Sequence, residues 1–116
     1  MGYEVQRKFR GINRKTDFER LFRDGKRIKY GVLTLFYLRR EGEGVRLCVI
    51  VPKSRGKATK RNRVRRIIRE EMRENLPRDK YGFDIAIVYG EKISAESYLR
   101  VRADTIELIK RFAKKC

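Results

Sequence analysis

Apolar residues recur at helix-like or strand-like intervals along most of the chain, and polar or glycine-containing segments separate these runs. In the first such segment, residues 16–25, Phe18, Leu21 and Phe22 follow the i, i+3, i+4 spacing of one helical stripe. Thr16 is a suitable N-cap, a glutamate three residues later completes a capping box, and the final glycine can end the helix. The pattern therefore predicts a short amphipathic helix with Thr16 as its N-cap.

The next apolar segments are rich in β-branched and aromatic residues, which is typical of strands. Residues 27–39 predict two strand pieces with Gly31 as a bend between them. Residues 41–44, with the sequence EGEG, predict a hairpin-type turn, and Val45–Val51 a second long strand. The sequence therefore predicts that a hairpin forms part of a sheet.

A longer amphipathic helix is predicted from about Thr59 to Leu76, where Pro77 stops it. Apolar side chains gather on one side of this helix: Val64, Ile67, Ile68, Met72 and Leu76. The opposite side carries a polar row of Asn62, Arg66, Arg69 and Arg73, flanked by Arg61, Arg63 and Arg65. One face is thus suited to the core, and the other presents a row of guanidinium groups.

The last third of the chain predicts a strand and a helix. Residues 84–89, with the sequence DIAIVY, predict a short strand whose apolar run after the aspartate is unbroken, which indicates burial on both faces. A final helix begins near Ser94 or Ser97, and its predicted core side consists of Tyr98, Val101, Leu108, Ile109 and Phe112. The order of elements predicts an α/β (α+β) two-layer sandwich, with a mixed sheet of about four strands and three helices. We expect a single domain over residues 1–116, with residues 1–15 as a basic arm.

The charge balance points to a polyanionic partner. Charged and hydrophobic residues each make up 41% of the chain, so it can form a core, yet its formal net charge is +17. Nucleic acid is the leading candidate, and a membrane is the weaker one because no apolar run approaches a span and no signal-type segment is present. We therefore expect a cytoplasmic protein. Cys48 is predicted to be a buried small hydrophobe and Cys116 to be exposed, with no disulfide or metal site.

The row of guanidinium groups has two interpretations, a solvated helix face or a phosphate-binding surface. Between residues 45 and 69 the chain has ten basic residues and no acidic one. A solvated face normally places glutamates among its cations, and basic residues at a helix N-terminus oppose the helix dipole. Arginine also outnumbers lysine here, as expected for bidentate phosphate contacts. The sequence therefore favours binding to a phosphate backbone.

The chain offers no recognisable catalytic constellation of its own. It contains no histidine, which is the commonest general base. The aspartates fall in unrelated predicted elements and form no carboxylate pair for metal-assisted hydrolysis: Asp17, Asp24, Asp79, Asp84 and Asp104. We expect no catalytic residue and no metal ligand in the protein alone.

The segment GKATKRNRVRRIIRE, residues 56–70, resembles the signature of the bacterial ribonuclease P protein subunit. The surrounding order agrees, with a basic arm, the segment DFERLFRDG, strands, the signature and then YGFDIAIVY. The resemblance implies a fold shared with a small-subunit ribosomal protein and with a domain of elongation factor G. It also implies a left-handed strand–helix–strand crossover between residues 45–51 and 84–89, where general rules alone predict a right-handed one.

The resemblance further implies a function. One such protein joins one large catalytic RNA, and the complex cuts precursor tRNA to produce the mature 5′ end, with Mg²⁺ held mainly by the RNA and no cofactor bound by the protein alone. A ribosomal or other structural RNA-binding protein is the alternative, because the fold and charge also serve there. A DNA-binding module is a third possibility, weakened by the absence of a helix-turn-helix or dimer pattern.

The predicted site residues form two groups. The RNA-subunit-binding group is Lys57, Lys60, Arg61, Asn62, Arg63, Arg65, Arg66, Arg69 and Arg73. The group implied to bind the precursor-tRNA leader is Phe18, Phe22, Phe36, Lys53 and Arg55. Helical spacing alone favours core packing for the two helix phenylalanines, whereas the resemblance implies that they are partly exposed in a cleft. Arg65 stands where the family commonly has Lys, and Pro52 and Ser54 stand where it often has Ser and Lys.

Overall fold

The structure, a computed structural model, describes residues 9–76 and 82–115. The predictions for residues 1–8 of the arm, for Pro77 as the helix stop, for Asp79 and for Cys116 lie outside these residues. The helices and strands are α1 (Lys15–Asp24), β1 (Lys26–Tyr30), β2 (Leu33–Arg40), β3 (Val45–Ile50), α2 (Ala58–Asn75), β4 (Gly82–Tyr89) and α3 (Ser97–Lys115), with a short 3₁₀ turn (Lys53–Arg55) between β3 and α2. The predicted order of elements and the α+β class are confirmed.

The four strands form one mixed sheet in the order β1-β2-β4-β3. β2 is antiparallel to both β1 and β4, whereas β3 runs parallel to β4 and reaches it through α2. The predicted hairpin at residues 41–44 is therefore wrong, because β4 lies between the two strands that this turn joins. The turn itself exists, with positive φ angles of 98° at Gly42 and 84° at Gly44. The side chains of β4 are buried on both faces of the sheet, which is possible because β4 lies between β2 and β3.

The main core lies between the sheet and the pair α2 and α3. The apolar stripe of α2 is buried at every predicted position, as are four of the five predicted core residues of α3. The fifth, Tyr98, is half-buried against the same core. These predictions are confirmed, and α2 is therefore fixed along its length by side chains that pack on the strands and on α3.

α1 lies on the other face of the sheet and covers only part of it. Its buried Leu21 joins Ile12 and Ala86 in a second, smaller apolar cluster. The helix begins at Lys15 with Arg14 as its N-cap, and no side chain caps it, so the predicted N-cap at Thr16 is wrong by two residues. Its C-terminal end is confirmed at Gly25, where a Cβ atom would lie 2.3 Å from the carbonyl oxygen of Leu21.

A network of ion pairs ties α1 to the sheet. Arg46 of β3 donates two hydrogen bonds of 2.7 Å to the two carboxylate oxygens of Asp84 in β4, and its Nη1 lies 3.3 Å from Oδ2 of Asp17 in α1. Arg40 of β2 donates a further bond of 3.0 Å to Asp84, whose exposure is only 2%. Hydrogen bonding to Asp84 raises the pKa of Arg46 above its ordinary value. Arg46 therefore joins the edge strand β3 and the central strand β4 to α1.

Arg46→Met should lower the free energy of unfolding by roughly 3 kcal/mol, because it leaves the buried carboxylate of Asp84 without one of its two partners. Urea unfolding followed by circular dichroism measures this loss. Arg23→Met is the matched control, since Arg23 pairs with Asp24 on an exposed surface. The control should unfold close to the parent, and equal stability of both variants would contradict the role given to Arg46.

Candidate RNA-binding helix and aromatic cleft

The exposed side of α2 carries a row of cations on a rigid backbone. Asn62, Arg66 and Arg69 are exposed along this side, and Arg73 is half-buried at its far end. No acidic residue lies in the first turn of the helix, and the N-cap residue, Lys57, makes no side-chain cap. The positive helix end and the cations therefore repel one another, and an anionic ligand would relieve this repulsion.

Other cations of α2 also hold the fold together. The Nε atom of Arg61 donates to the carbonyl oxygen of Gly56 at 3.0 Å, which fixes the loop before the helix. The guanidinium carbon of Arg63 lies 3.9 Å from the centre of the Tyr98 ring on α3, a cation–π contact. Lys60 remains exposed. The predicted RNA-binding group thus includes two residues that also join α2 to its neighbours.

An aromatic cleft lies on the face of the sheet that α1 partly covers. Its floor includes a row of three residues across the strands, because Phe36 of β2 and Cys48 of β3 both pair with Ala86 of β4. Along one side, the rings of Phe18 and Phe22 in α1 are stacked with centroids 6.5 Å apart. The Phe22 ring meets Phe36 edge-on at 4.8 Å.

The aromatic rings of this cleft are accessible to a ligand. Phe22 is 40% exposed, whereas Phe18 and Phe36 are half-buried. Leu21, on the same helix, is fully buried. The structure thus agrees with partial exposure of the three phenylalanines and with Leu21 as a core residue.

Cys48 occupies the cleft floor and is half-buried, so the prediction of a buried cysteine is wrong. It lies on the sheet face that α1 leaves partly open, whereas the apolar residues on either side of it in β3 point into the main core. Burial raises the pKa of its thiol, against the opposing effect of the positive charges of Arg69 and Arg65. These two guanidinium groups of α2 therefore lie within electrostatic reach of the cleft.

The two cations predicted at the end of the cleft differ in their surroundings. Lys53 is exposed on the 3₁₀ turn that follows β3. Arg55 is half-buried, its carbonyl oxygen accepts a 2.9 Å bond from the backbone N–H of Ile93, and its Nε atom is buried with no partner among the described residues. Arg55 therefore packs beside the loop before α3, and its contact with a leader remains a prediction.

The ion-pair residue Arg46 was not predicted as a site residue from the sequence. A signal is present, since Arg46 is the one charged residue of the apolar strand β3, and Asp84 the one charged residue of the apolar strand β4. Single opposite charges in two buried strands pair when the strands are neighbours. β3 and β4 are such neighbours, and their parallel register places Arg46 directly opposite Asp84.

Within residues 9–76 and 82–115, no helix is long and apolar enough to cross a membrane. The same residues contain no cluster of three or more His, Cys, Asp or Glu side chains that could hold a metal ion.

An α/β domain with a cationic helix beside a cleft of accessible aromatic rings is typical of nucleic-acid-binding proteins. Comparison with known proteins narrows this class. The family model for ribonuclease P matches residues 7–113 of the chain. The chain belongs to the ribonuclease P protein family, whose members are subunits of an RNA–protein endoribonuclease of tRNA 5′ maturation. This finding supports the ribonuclease P interpretation and not the ribosomal alternative.

Individual relatives agree with the family assignment. The chain is 32% identical over 101 residues to the ribonuclease P protein component of Clostridium botulinum (strain Loch Maree / Type A3), covering 86% of this chain and 91% of the relative. The solved structure of the Thermotoga maritima RNase P protein is similar with a TM-score of 0.73 and 30% identity, covering 87% of this chain and 96% of that one. The Staphylococcus aureus RNase P protein shares the fold with a TM-score of 0.74 at 21% identity, over 92% of this chain and 97% of that one.

Proposed function

We propose that this chain binds the RNA subunit of ribonuclease P through the exposed face of α2, and the 5′ leader of precursor tRNA in the aromatic cleft. In this way it assists the endonucleolytic removal of the leader in the cytoplasm. The observation that carries the proposal is the cleft itself, where accessible phenylalanine rings lie beside the cationic helix. A single strand of RNA has both the bases and the phosphates that such a surface binds.

The face of α2 suits a folded RNA. Its cations project from a helix whose other face is buried, so the backbone positions that carry them are fixed before binding. The entropy cost of ordering this surface when the RNA binds is therefore small. Arginine forms bidentate contacts with phosphate oxygens, and such contacts dominate the affinity for nucleic acid. Arg66 and Arg69 are the centre of this surface, because both are exposed and neither is bonded to another described residue.

The cleft suits a single strand. Bases stack on accessible aromatic faces whatever their sequence, since every base has a π-face. Ala86 is itself fully buried against Ile12 and Leu21, so the accessible floor between the rings and β3 consists of half-buried side chains such as Phe36 and Cys48. A leader, which differs in sequence from one precursor to another, requires this kind of sequence-tolerant binding.

We infer that the RNA subunit supplies the catalytic chemistry with Mg²⁺, and that the protein supplies binding and electrostatics. Saturating protein should then lower the Mg²⁺ concentration needed for half-maximal cleavage by roughly severalfold, because its cations replace counterions around crowded phosphates. Cleavage rates of the RNA with and without protein, measured over a Mg²⁺ titration, give this value. An unchanged Mg²⁺ requirement would contradict the electrostatic role.

Cys48 can report on occupancy of the cleft. Because burial raises the pKa of its thiol, alkylation of Cys48 should be slow at neutral pH and should accelerate only above the ordinary thiol pKa range. In a holoenzyme whose other cysteine is replaced, Cys116→Ser, precursor tRNA should slow this alkylation several-fold relative to mature tRNA. Mass spectrometry of the labelled protein gives the rates. Equal protection by both tRNAs would place the leader elsewhere.

The RNA that copurifies with the protein tests the choice of RNA partner. A single RNA of a few hundred nucleotides, with precursor-tRNA cleavage activity, is the expected result, and its molar ratio to protein tests the proposed one-to-one assembly. Ribosomal RNA in place of this species would contradict the proposal.

A further inference from the structure

β1 forms the edge of the sheet on the side away from α2, and it carries three exposed cations, Lys26, Arg27 and Lys29. Strand register divides them between the two faces. Arg27 lies opposite Phe36 and Lys29 opposite Thr34, so both share the face of the aromatic cleft. Lys26 lies opposite Tyr37, whose ring is buried in the main core on the other face. Two cations of β1 therefore lie beside the cleft, and one does not.

Charged residues on an edge strand have an ordinary explanation, because they prevent the edge from pairing with another chain. That explanation applies equally to all three cations and does not account for the surroundings of Arg27 and Lys29. Within the part of the chain that the structure describes, neither makes an ion pair or a side-chain hydrogen bond. Asp24, at the end of α1 that leads into β1, pairs with Arg23.

Cations therefore border the cleft floor on both sides. Arg27, Phe36, Ala86 and Cys48 form a continuous row across the four strands. Three spacings between neighbouring strands separate its ends, a width of about 14 Å. Beyond the Cys48 end lie the guanidinium groups of α2 that act on its thiol. An apolar and aromatic floor with cations at both edges matches a strand whose bases stack centrally and whose phosphates reach the borders.

We propose that Arg27 and Lys29 bind backbone phosphates of the leader where it crosses the sheet toward β1. This inference rests on the proposed binding of the leader in the cleft and adds a second phosphate-binding border to it. Phosphate contacts carry no sequence information, so this border would hold any leader equally. Each phosphate contact with a single strand contributes a slope of about 0.7 in log K against log salt concentration, so two contacts contribute about 1.4.

The test uses the reconstituted holoenzyme with the variant Arg27→Gln/Lys29→Gln. Lys26→Gln is the matched control, since it removes a cation from the same strand on the opposite face. Dissociation constants are measured over a salt series for three substrates: precursor tRNA, the same precursor with abasic leader nucleotides, and mature tRNA. Abasic nucleotides keep the phosphates and remove the stacking bases.

We expect the double variant to bind precursor about tenfold more weakly at physiological salt, with a salt slope reduced by about 1.4. The loss should be the same for the abasic leader, and absent for mature tRNA and for Lys26→Gln. In contrast, Phe18→Ala/Phe22→Ala should lose affinity for the normal leader and not for the abasic one, because those rings bind bases.

Two results would overturn this inference while leaving the proposed function intact. One is precursor affinity in the double variant equal to that of Lys26→Gln, while the phenylalanine variant still loses affinity. The other is an equal loss for precursor and mature tRNA, which would assign these cations to the body of the tRNA. If neither the arginine–lysine variant nor the phenylalanine variant distinguishes precursor from mature tRNA, the proposed leader cleft itself is wrong.

Discussion

We expect Arg66→Glu/Arg69→Glu to abolish assembly of the holoenzyme and to leave the fold intact. Both side chains are exposed on α2, while the opposite face of this helix is held in the core. Reversing both charges removes two phosphate contacts and places two carboxylates against the RNA backbone. The affinity for the RNA subunit should therefore fall by at least about a hundredfold at physiological salt. Filter binding or fluorescence titration with the RNA subunit measures the loss, and circular dichroism checks the fold.

The matched control for this variant is Lys110→Glu/Lys114→Glu on α3, where both lysines are exposed. Each double variant lowers the formal net charge from +17 to +13, since every change from a cation to glutamate removes two units. If binding depended only on net charge, both variants would weaken it equally. That result, or full assembly by the α2 variant, would contradict the assignment of α2 as the RNA-binding face.

We expect Phe18→Ala/Phe22→Ala to weaken binding of precursor tRNA by the holoenzyme far more than binding of mature tRNA. Each base stacked on an aromatic ring contributes about 1–3 kcal/mol, so the loss of two stacks should cost at least about thirtyfold in affinity. Competition between labelled precursor and unlabelled mature tRNA measures the difference. Equal losses for the two substrates would place the leader outside the cleft.

Two further variants separate leader binding from stability. Phe22→Ala alone removes the most exposed ring, at 40%, and leaves the half-buried Phe18 in the small cluster with Leu21. Leu99→Ala removes the most exposed large apolar side chain of α3. Leu99 is 79% exposed, and its helix packs on the sheet face opposite the cleft. The first should still reduce the preference for precursor, and the second should leave it unchanged.

Periodicity predicted those parts of the fold that follow from burial within one element. Val64, Ile67, Ile68 and Met72 are spaced for a single helical face, and the structure buries all four. The run at 85–89 is apolar at successive positions, and it is buried on both faces because β4 is an inner strand of the sheet. Such predictions succeed because the geometry of a single helix or strand fixes which side chains share a face, and that whole face is buried when the element packs.

The partners of β3 could not be predicted from local signals. The EGEG turn has the glycine content of a tight connection, and its two glycines do adopt positive φ angles. A turn specifies a change of direction and not which strand pairs with which. The need to bury both faces of β4 decides the pairing, and that strand is nearly 40 residues further along the chain. The interpretation of a hairpin failed for this reason.

The site was predicted in its residue types better than in its contacts. The helical spacing of the arginines predicted which side of α2 is exposed. The cation–π contact of Arg63 with Tyr98 joins residues 35 positions apart, and no local pattern in either segment indicates it. Similarly, Phe22 is exposed because α1 covers only part of the sheet face, and this depends on packing between elements and not on the local sequence. Sequence pattern alone favoured core packing for that ring, and the family resemblance was needed to predict otherwise.

The position of β4 has a consequence for the order in which the protein can fold during synthesis. β1 and β2 are adjacent in sequence and can pair as soon as both have left the ribosome, whereas β3 has no partner among the other three strands until Gly82–Tyr89 is made. α2 is therefore synthesised before the strand that completes the surface beneath it. The apolar stripe of α2 therefore stays exposed to solvent until β4 is synthesised, and the cooperative core forms only near the end of translation. A nascent chain stopped before Gly82 would retain a β1–β2 pair and little else of the sheet.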